Sequence, residues 1–113
     1  MTNAASASTT DGIRTLNDNF RTTFRGGRVL MTAGVSELPA DTKAAILSAV
    51  RSFDKFDADN DPHREHDFGS FEIEGETYFW KIDYYAPDLR SGAENPELPE
   101  TSRVLTIMRA DEY

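Results

Sequence analysis

Apolar residues recur at helical spacing in two parts of the chain. Between Asp11 and Phe24 they lie three or four residues apart, which is the period of an amphipathic helix, and a Gly-Gly pair then predicts its end. Between about Ala40 and Phe53 a second stripe follows a proline that suits a helix start. The stripe positions are Ile13, Leu16, Phe20 and Phe24 in the first helix and Ala45, Ile46, Ala49, Val50 and Phe53 in the second.

The polar positions of the first helix include Arg14, Arg21 and Arg25, which we expect on its solvent-exposed faces. Asp18 is spaced to pair with Arg14 or Arg21. Residues 1–10 are small and polar with nothing to bury. They predict a disordered tail ahead of a single domain over residues 11–113.

Four segments have the composition of β-strands, and Glu74 and Gly75 join two of them in a predicted tight hairpin. The order α-β-α-β-β-β predicts an α+β fold. In this fold two helices pack on one face of a mostly antiparallel four-stranded sheet. The predicted strands are Arg28 to Val35, Gly69 to Ile73, Glu76 to Tyr85 and Arg103 to Arg109.

The two-residue hairpin loop fixes a register, because each residue on one strand then has a defined partner on the other. The predicted pairs are Ile73 with Glu76, Phe71 with Tyr78, and Gly69 with Trp80. Because successive side chains on a strand point to opposite faces, this register also assigns each side chain to one face of the sheet. We expect Phe71, Ile73, Tyr78, Trp80, Ile82 and Tyr84 to face the helices, and Glu72, Thr77, Phe79, Lys81, Asp83 and Tyr85 to face away.

The acidic residues are concentrated in one half of the chain. The net charge is -8, from 20 acidic and 12 basic residues, and Asp54 to Glu100 alone contains 14 acidic and four basic residues. A negative field segregated in this way attracts basic protein surfaces. It disfavours direct binding to nucleic-acid phosphates or to anionic membranes.

The absence of cysteine, of a long apolar run and of signal-peptide features reduces the number of possible functional classes. Without cysteine there is no disulfide framework, no thiol nucleophile and no cysteine zinc site. No apolar run approaches the roughly 18 residues that span a bilayer, and the first ten residues lack the features of a signal peptide. We therefore expect a cytoplasmic protein that makes no membrane contact.

The run Asp57, Asp59, Asp61 alternates as in a calcium-binding EF-hand loop. It fails the other requirements, because Pro62 stands where that loop needs glycine and Phe68 where it needs a bidentate glutamate. Turn formation, with carboxylates bonded to nearby backbone, explains the run better.

A second cluster, His63, Glu65, His66 and Asp67, could supply a transition-metal site or a general acid–base pair. Its spacing is not that of zinc proteases, and no nucleophile or oxyanion motif accompanies it. We expect His66 or Asp67 to pin the loop by bonding backbone donors, with no metal, no cofactor and no catalytic residue. The alternative is a small hydrolytic or metal-dependent enzyme that uses this cluster.

The predicted outer face of the sheet carries aromatic residues beside carboxylates. Phe79 and Tyr85, with Phe68 near them, have the make-up of an apolar anchor within a charged rim, which is typical of a protein-binding patch. The alternative is that the next loop, or a second copy of the chain, covers these aromatics. That loop, Ala86 to Ser102, is irregular over 17 residues, and such loops are usually functional or mobile.

Five segments, IRTLNDNF, GGRV, FDKFDADNDPHREHDFGSFE, FWKIDYY and RVLTIMRADEY, resemble a family of small proteins of unknown function encoded on alphaproteobacterial plasmids and other mobile elements. The resemblance runs from about Ile13 to Tyr113. It assigns no catalytic residue. It implies a role in the life of a mobile element, since members of the family occur among plasmid-maintenance and antirestriction-type genes.

These observations predict a non-enzymatic protein that binds a basic surface on another protein. The concrete hypothesis is an inhibitor of a host defence complex, of anti-CRISPR or antirestriction type, whose target is a defence nuclease or CRISPR effector. A self-associating housekeeping protein, such as a homodimer, is a further alternative. The predicted partner-binding residues are Asp57, Asp59, Asp61, Glu65, Asp67, Glu72, Glu74, Phe79, Asp83, Tyr85 and Asp88.

Overall fold

A computed structural model describes residues 3–86, 92, 96 and 101–113, with the backbone alone for residues 3–9. Its helices are α1 (Asn3–Thr23), α2 (Ala33–Ser36) and α3 (Ala40–Arg51), and a short 3-10 helix spans Ala110–Glu112. Its strands are β1 (Arg28–Met31), β2 (Phe68–Ile73), β3 (Glu76–Tyr85) and β4 (Ser102–Arg109). The predicted α+β class is confirmed, but the described residues contain three α-helices where two were predicted, and two of them lie between β1 and β2. No helix in the described residues is both long enough and apolar enough to cross a lipid bilayer.

The four strands form one mixed sheet in the order β1-β4-β3-β2. The pairs β2–β3 and β3–β4 are antiparallel, whereas β1 lies parallel to β4. The hairpin register predicted from the two-residue loop is confirmed: Ile73 faces Glu76, Phe71 faces Tyr78 and Gly69 faces Trp80. Glu74 and Gly75 both have positive φ, 55° and 82°, as the tight turn between antiparallel strands requires.

The hydrophobic core lies between the helices and one face of the sheet. All three α-helices contribute to it, together with the inner-face residues of β3 and β4. Its buried members are Phe20, Val35, Ile46, Val50, Phe53, Tyr78, Trp80, Ile82, Leu105 and Ile107. The predicted inward face of β3 is therefore correct, and helix packing leaves the opposite sheet face for other contacts.

Helix α1 begins at Asn3, earlier than the start that the apolar pattern predicted at Asp11. The predicted boundary between a tail and the domain stays a prediction. The apolar stripe of α1 also differs from the predicted one. Leu16 is 38% exposed, while Asn17 is completely buried.

Arg21 is buried at 3% exposure, so its predicted place on a solvent face was wrong. Its guanidinium donates to the carbonyl oxygens of Val50 at 3.0 Å and Arg51 at 3.3 Å, and to Asp18 Oδ1 at 3.2 Å. The last carbonyls of a helix lack partners within the helix, and a cation there is also favoured by the helix dipole. Arg21 thus ties α1 to the C-terminal end of α3.

The strand predicted over Arg28 to Val35 ends at Met31, and residues 33–36 form α2 instead. The carboxylate of Glu112 stabilises the turn by which the chain leaves β1 and enters α2. It accepts hydrogen bonds from Thr32 Oγ1 at 2.6 Å, from the Gly34 N–H at 3.0 Å and from the Arg109 N–H at 2.8 Å. A residue far along the chain therefore stabilises the start of α2.

Candidate functional site

Three aromatic rings meet on the outer face of the sheet: Phe68 of β2, Phe79 of β3 and Tyr113. The ring centroids of Phe68 and Phe79 lie 5.2 Å apart, and Tyr113 meets Phe79 edge-on at 5.4 Å. Met108 is buried opposite Phe79 in the β3–β4 pairing. Tyr113 itself is 76% exposed. This outer aromatic trio is a partly open apolar surface, and the sequence pattern does not predict that Tyr113 belongs to it.

Glu72 lies on the same face of β2 as Phe68 and is exposed, as is Ser70 between them. Alternation along a strand places these three side chains in one row. A carboxylate and an aromatic cluster therefore lie side by side on β2, at the edge of the sheet.

The other predicted anchor, Tyr85, lies at the far end of β3, opposite Ser102. It lies six positions after Phe79, or about 20 Å at a rise of ~3.3 Å per residue. Asp83, near Tyr85, pairs with Lys81 at 3.0 Å. The predicted outer patch is thus divided into two areas, one around Phe79 and one around Tyr85.

The acidic loop before β2 uses several of its carboxylates internally. Asp57 Oδ1 accepts hydrogen bonds from the N–H groups of Asp59 at 2.9 Å and Asn60 at 3.0 Å, which is the predicted turn chemistry. Asp61 is 6% exposed and accepts the His66 N–H at 3.0 Å. Asp57 and Asp59 are exposed, so they remain available to an external partner.

The His66 ring lies between two carboxylates. Nδ1 is 2.9 Å from Asp18 Oδ1, and Nε2 is 3.6 Å from Asp61 Oδ2. The ring also stacks on Phe56 with a centroid distance of 3.7 Å. His66 has a positive φ of 55°, so its backbone is held in the left-handed region. These contacts pin the loop to α1. The sequence predicted such a role through backbone donors, whereas the His66 ring contacts the carboxylates of Asp18 and Asp61.

Glu65 belongs to a buried polar network rather than to an acid–base pair with His66. Tyr84 donates its hydroxyl hydrogen to Glu65 Oε1 at 2.8 Å. The Asn17 amide donates to the Tyr84 hydroxyl oxygen at 2.7 Å and to the Glu65 carbonyl at 2.9 Å, while its oxygen accepts from Arg103 Nε at 2.8 Å. Burial lowers the pKa of Arg103 and raises the pKa of Tyr84.

Asp67 directly precedes β2, and its carbonyl oxygen accepts the Ile82 N–H at 2.8 Å. Burial, and then the nearby charge of Glu65, raise its pKa above the ordinary value of 3.8. His63, by contrast, is exposed. Within the described ranges no three or more carboxylate, histidine or cysteine side chains are grouped so that they could hold a metal ion.

A cleft of about 900 Å³ lies between α1 and the acidic loop. Its lining includes Arg14, Phe56, Asp57, Asp61 and His66. Arg14 donates to the Arg64 carbonyl at 2.9 Å and also pairs with Asp11, and Asp61 is held by His66. The charged groups in the cleft are thus largely paired with one another.

The remaining predicted site residues are at the hairpin turn and beyond β3. Glu74 is exposed in the turn and lies 3.4 Å from Thr42 Oγ1. Asp88 lies outside the described residues. A role in partner binding stays a prediction for every residue of the set.

The fold and the site define an α+β protein whose helices cover one face of the sheet. The other face carries the outer aromatic trio, and Glu72 lies beside it on the edge strand β2; together these residues form what we call the acidic edge. The family model "Protein of unknown function (DUF3768)" matches residues 31–112, so the chain belongs to that family. The match confirms that the resemblance is to a family of unknown function, while the origin on plasmids stays a prediction. No curated protein and no solved structure matches the chain.

Proposed function

We propose that this protein is a non-enzymatic binding protein that uses the outer acidic edge of its sheet to bind a basic surface on another protein. The single observation that carries the proposal is the row on β2 that joins exposed Glu72 to the outer aromatic trio. Such a row offers a partner a charge to pair with and an apolar surface to desolvate.

The charge of the chain supports the same proposal. A net charge of -8 speeds encounter with a basic partner and opposes encounter with nucleic acid. Of the predicted acids, Asp57, Asp59, Glu72 and Glu74 are exposed and supply the outward field, whereas Asp61 and Glu65 hold the loop and the buried network.

The more specific form of the proposal is an inhibitor of a host defence complex, of anti-CRISPR or antirestriction type. A groove lined with lysine and arginine for handling nucleic acid is the kind of basic surface that an acidic protein fits. This form draws on the sequence resemblance to proteins of mobile elements, and the partner would be a defence nuclease or a CRISPR effector.

The test is affinity capture from a host-cell lysate, followed by affinity measurements on the captured protein. Glu72→Lys reverses the charge beside the trio, and Tyr113→Ala removes the exposed ring. Glu37→Lys makes the same charge change at an exposed position after α2, and serves as the control. We expect a basic nucleic-acid-handling protein to be captured by the wild type and by Glu37→Lys, and lost with the other two variants.

Salt dependence separates the electrostatic mechanism from simple apolar adhesion. Between about 0.1 M and about 1 M salt the Debye length falls from ~10 Å to ~3 Å, so the affinity is expected to fall at least about tenfold. Binding that is equally strong at both salt concentrations and in Glu72→Lys would overturn the proposal. Self-capture alone, lost in Tyr113→Ala, would instead favour the homodimer.

A further inference from the structure

We infer that the partner supplies an extended basic segment that adds to the sheet as a fifth strand beside β2. The inference rests on the proposed function and specifies how the acidic edge binds. It comes from the backbone groups that β2 turns outward and from the side chains next to them.

The hydrogen-bonding pattern of the hairpin identifies the outward groups. The Ile82 N–H donates to the Asp67 carbonyl at 2.8 Å, immediately before the paired residues Phe68 and Lys81. Bonded and non-bonded pairs alternate in an antiparallel ladder. Gly69, Phe71 and Ile73 therefore bond to β3, whereas the N–H and C=O groups of the alternate residues point to the open edge. Those residues are Phe68, Ser70 and Glu72.

The outward groups are accessible. Ser70 and Glu72 are exposed, and in the described ranges no backbone group outside the ladder bonds to β2. β2 also lacks the proline or lysine with which proteins commonly block an edge strand. The opposite edge is less suitable, because β1 has four residues and carries Arg28, while β2 has six residues and carries Glu72.

The side chains on β2 define the occupant. An added strand places its outward residues directly beside Phe68, Ser70 and Glu72, about 5 Å away between Cβ atoms. A lysine or arginine beside Glu72 gains a charge pair, and an arginine beside Phe68 can lie over its ring. The remaining residues of the added segment alternate with these and face the helix side of the sheet, beside α3. Apolar side chains are therefore expected at those positions. The expected segment alternates basic and β-branched residues. A second copy of this chain is disfavoured because it carries the same net charge of -8.

The probe is a synthetic peptide of alternating Lys or Arg and Val. A matched peptide carries N-methyl groups on the alternate residues whose N–H groups would point to β2, so it cannot donate backbone hydrogen bonds to β2. Ser70→Pro removes one outward N–H of β2 without removing a bond to β3, and proline is tolerated at edges of this kind. Ser70→Ala is the control, and amide exchange of Gly69 and Phe71 checks that the hairpin is intact.

We expect the basic peptide to slow amide exchange at Ser70 and Glu72, and N-methylation or Ser70→Pro to weaken its binding at least tenfold, with Ser70→Ala unchanged. Loss of binding in Glu72→Lys, with no effect of N-methylation, would overturn strand addition and leave the acidic-surface proposal standing. Indifference to all of these changes would overturn both. A dimer in sedimentation equilibrium that is lost in Ser70→Pro would show that a second copy occupies the edge.

Discussion

Gly69 and Trp80 face each other across the hairpin so closely that a Cβ on Gly69 would overlap the indole Nε1. The same Cβ would lie 2.8 Å from the Phe53 ring, and Trp80 is completely buried. Because neither ring can retreat from a packed core, Gly69→Ala is expected to lower the free energy of unfolding by about 2 kcal/mol. Urea denaturation measures the loss. Ser70→Ala, at the next and exposed position, should change stability by less than about 0.5 kcal/mol. Equal effects at the two positions would contradict this account of the packing.

Asn17 is the centre of the buried network. Its side-chain oxygen accepts from the Arg103 guanidinium, and its amide donates to the Tyr84 hydroxyl oxygen and to the Glu65 carbonyl. Asn17→Ala leaves a buried cation without one of its acceptors, so it is expected to lower the free energy of unfolding by about 3 kcal/mol. Asn19→Ala, two residues along the same helix and exposed, is the matched control and should cost under about 0.5 kcal/mol. Thermal unfolding of both variants in one buffer makes the comparison. A loss at position 17 no larger than at position 19 would mean that water replaces the amide.

The hairpin could be predicted from the sequence because its determinants are local. Glu74 and Gly75 set the turn, the turn sets the register, and the glycine leaves the space that the indole fills. The same reasoning identified the inward face of β3. Strand order is different, since the parallel pairing of β1 with β4 joins segments that are far apart in sequence and no local pattern encodes it.

The buried polar residues show where a sequence pattern stops being informative. Asn17 lies four residues after Ile13 and three before Phe20, so its place on the apolar stripe was a usable signal. Arg21 lies at the margin of the same stripe, three residues before Phe24, but a charged side chain is buried there only because the α3 carbonyls accept its hydrogen bonds. Tyr113 joins the aromatic trio only because the chain turns back over β3 after β4, which periodicity does not predict.

Glu112 makes stability sensitive to acid. The hydrogen bond from Thr32, and then that from the Arg109 N–H, lower its pKa below the ordinary value of 4.5. A lowered folded pKa means that the contribution of this group is present above pH 4.5 and is lost as the pH falls through the folded pKa. Wild type should therefore lose more stability between pH 7 and pH 3 than Glu112→Gln does. Denaturant titrations across that range measure the difference. Glu37→Gln, at an exposed position, is the control and should follow the wild type. Parallel curves for wild type and Glu112→Gln would exclude this role.

Asp67 is expected to act with the opposite sign. Its pKa is raised, mainly by burial, so the folded state binds a proton more readily than the unfolded state does. Its contribution to stability is complete below pH 3.8 and is lost as the pH rises through the folded pKa. Asp67→Asn removes the half-buried charge and keeps the shape, so the variant should be more stable than wild type at pH 7.

The pH dependence distinguishes this explanation from a change in packing. The stability difference between Asp67→Asn and wild type should grow as the pH rises from 3.8 and level off above the folded pKa, in urea titrations at each pH. Asp59→Asn makes the same chemical change at an exposed loop position and should show no such growth. A constant difference at every pH would instead mean that the asparagine gains a hydrogen bond of its own. Because Asp67 lies next to Phe68, a more stable variant that also binds the partner normally would show that this half-buried carboxylate is not needed for binding at the acidic edge.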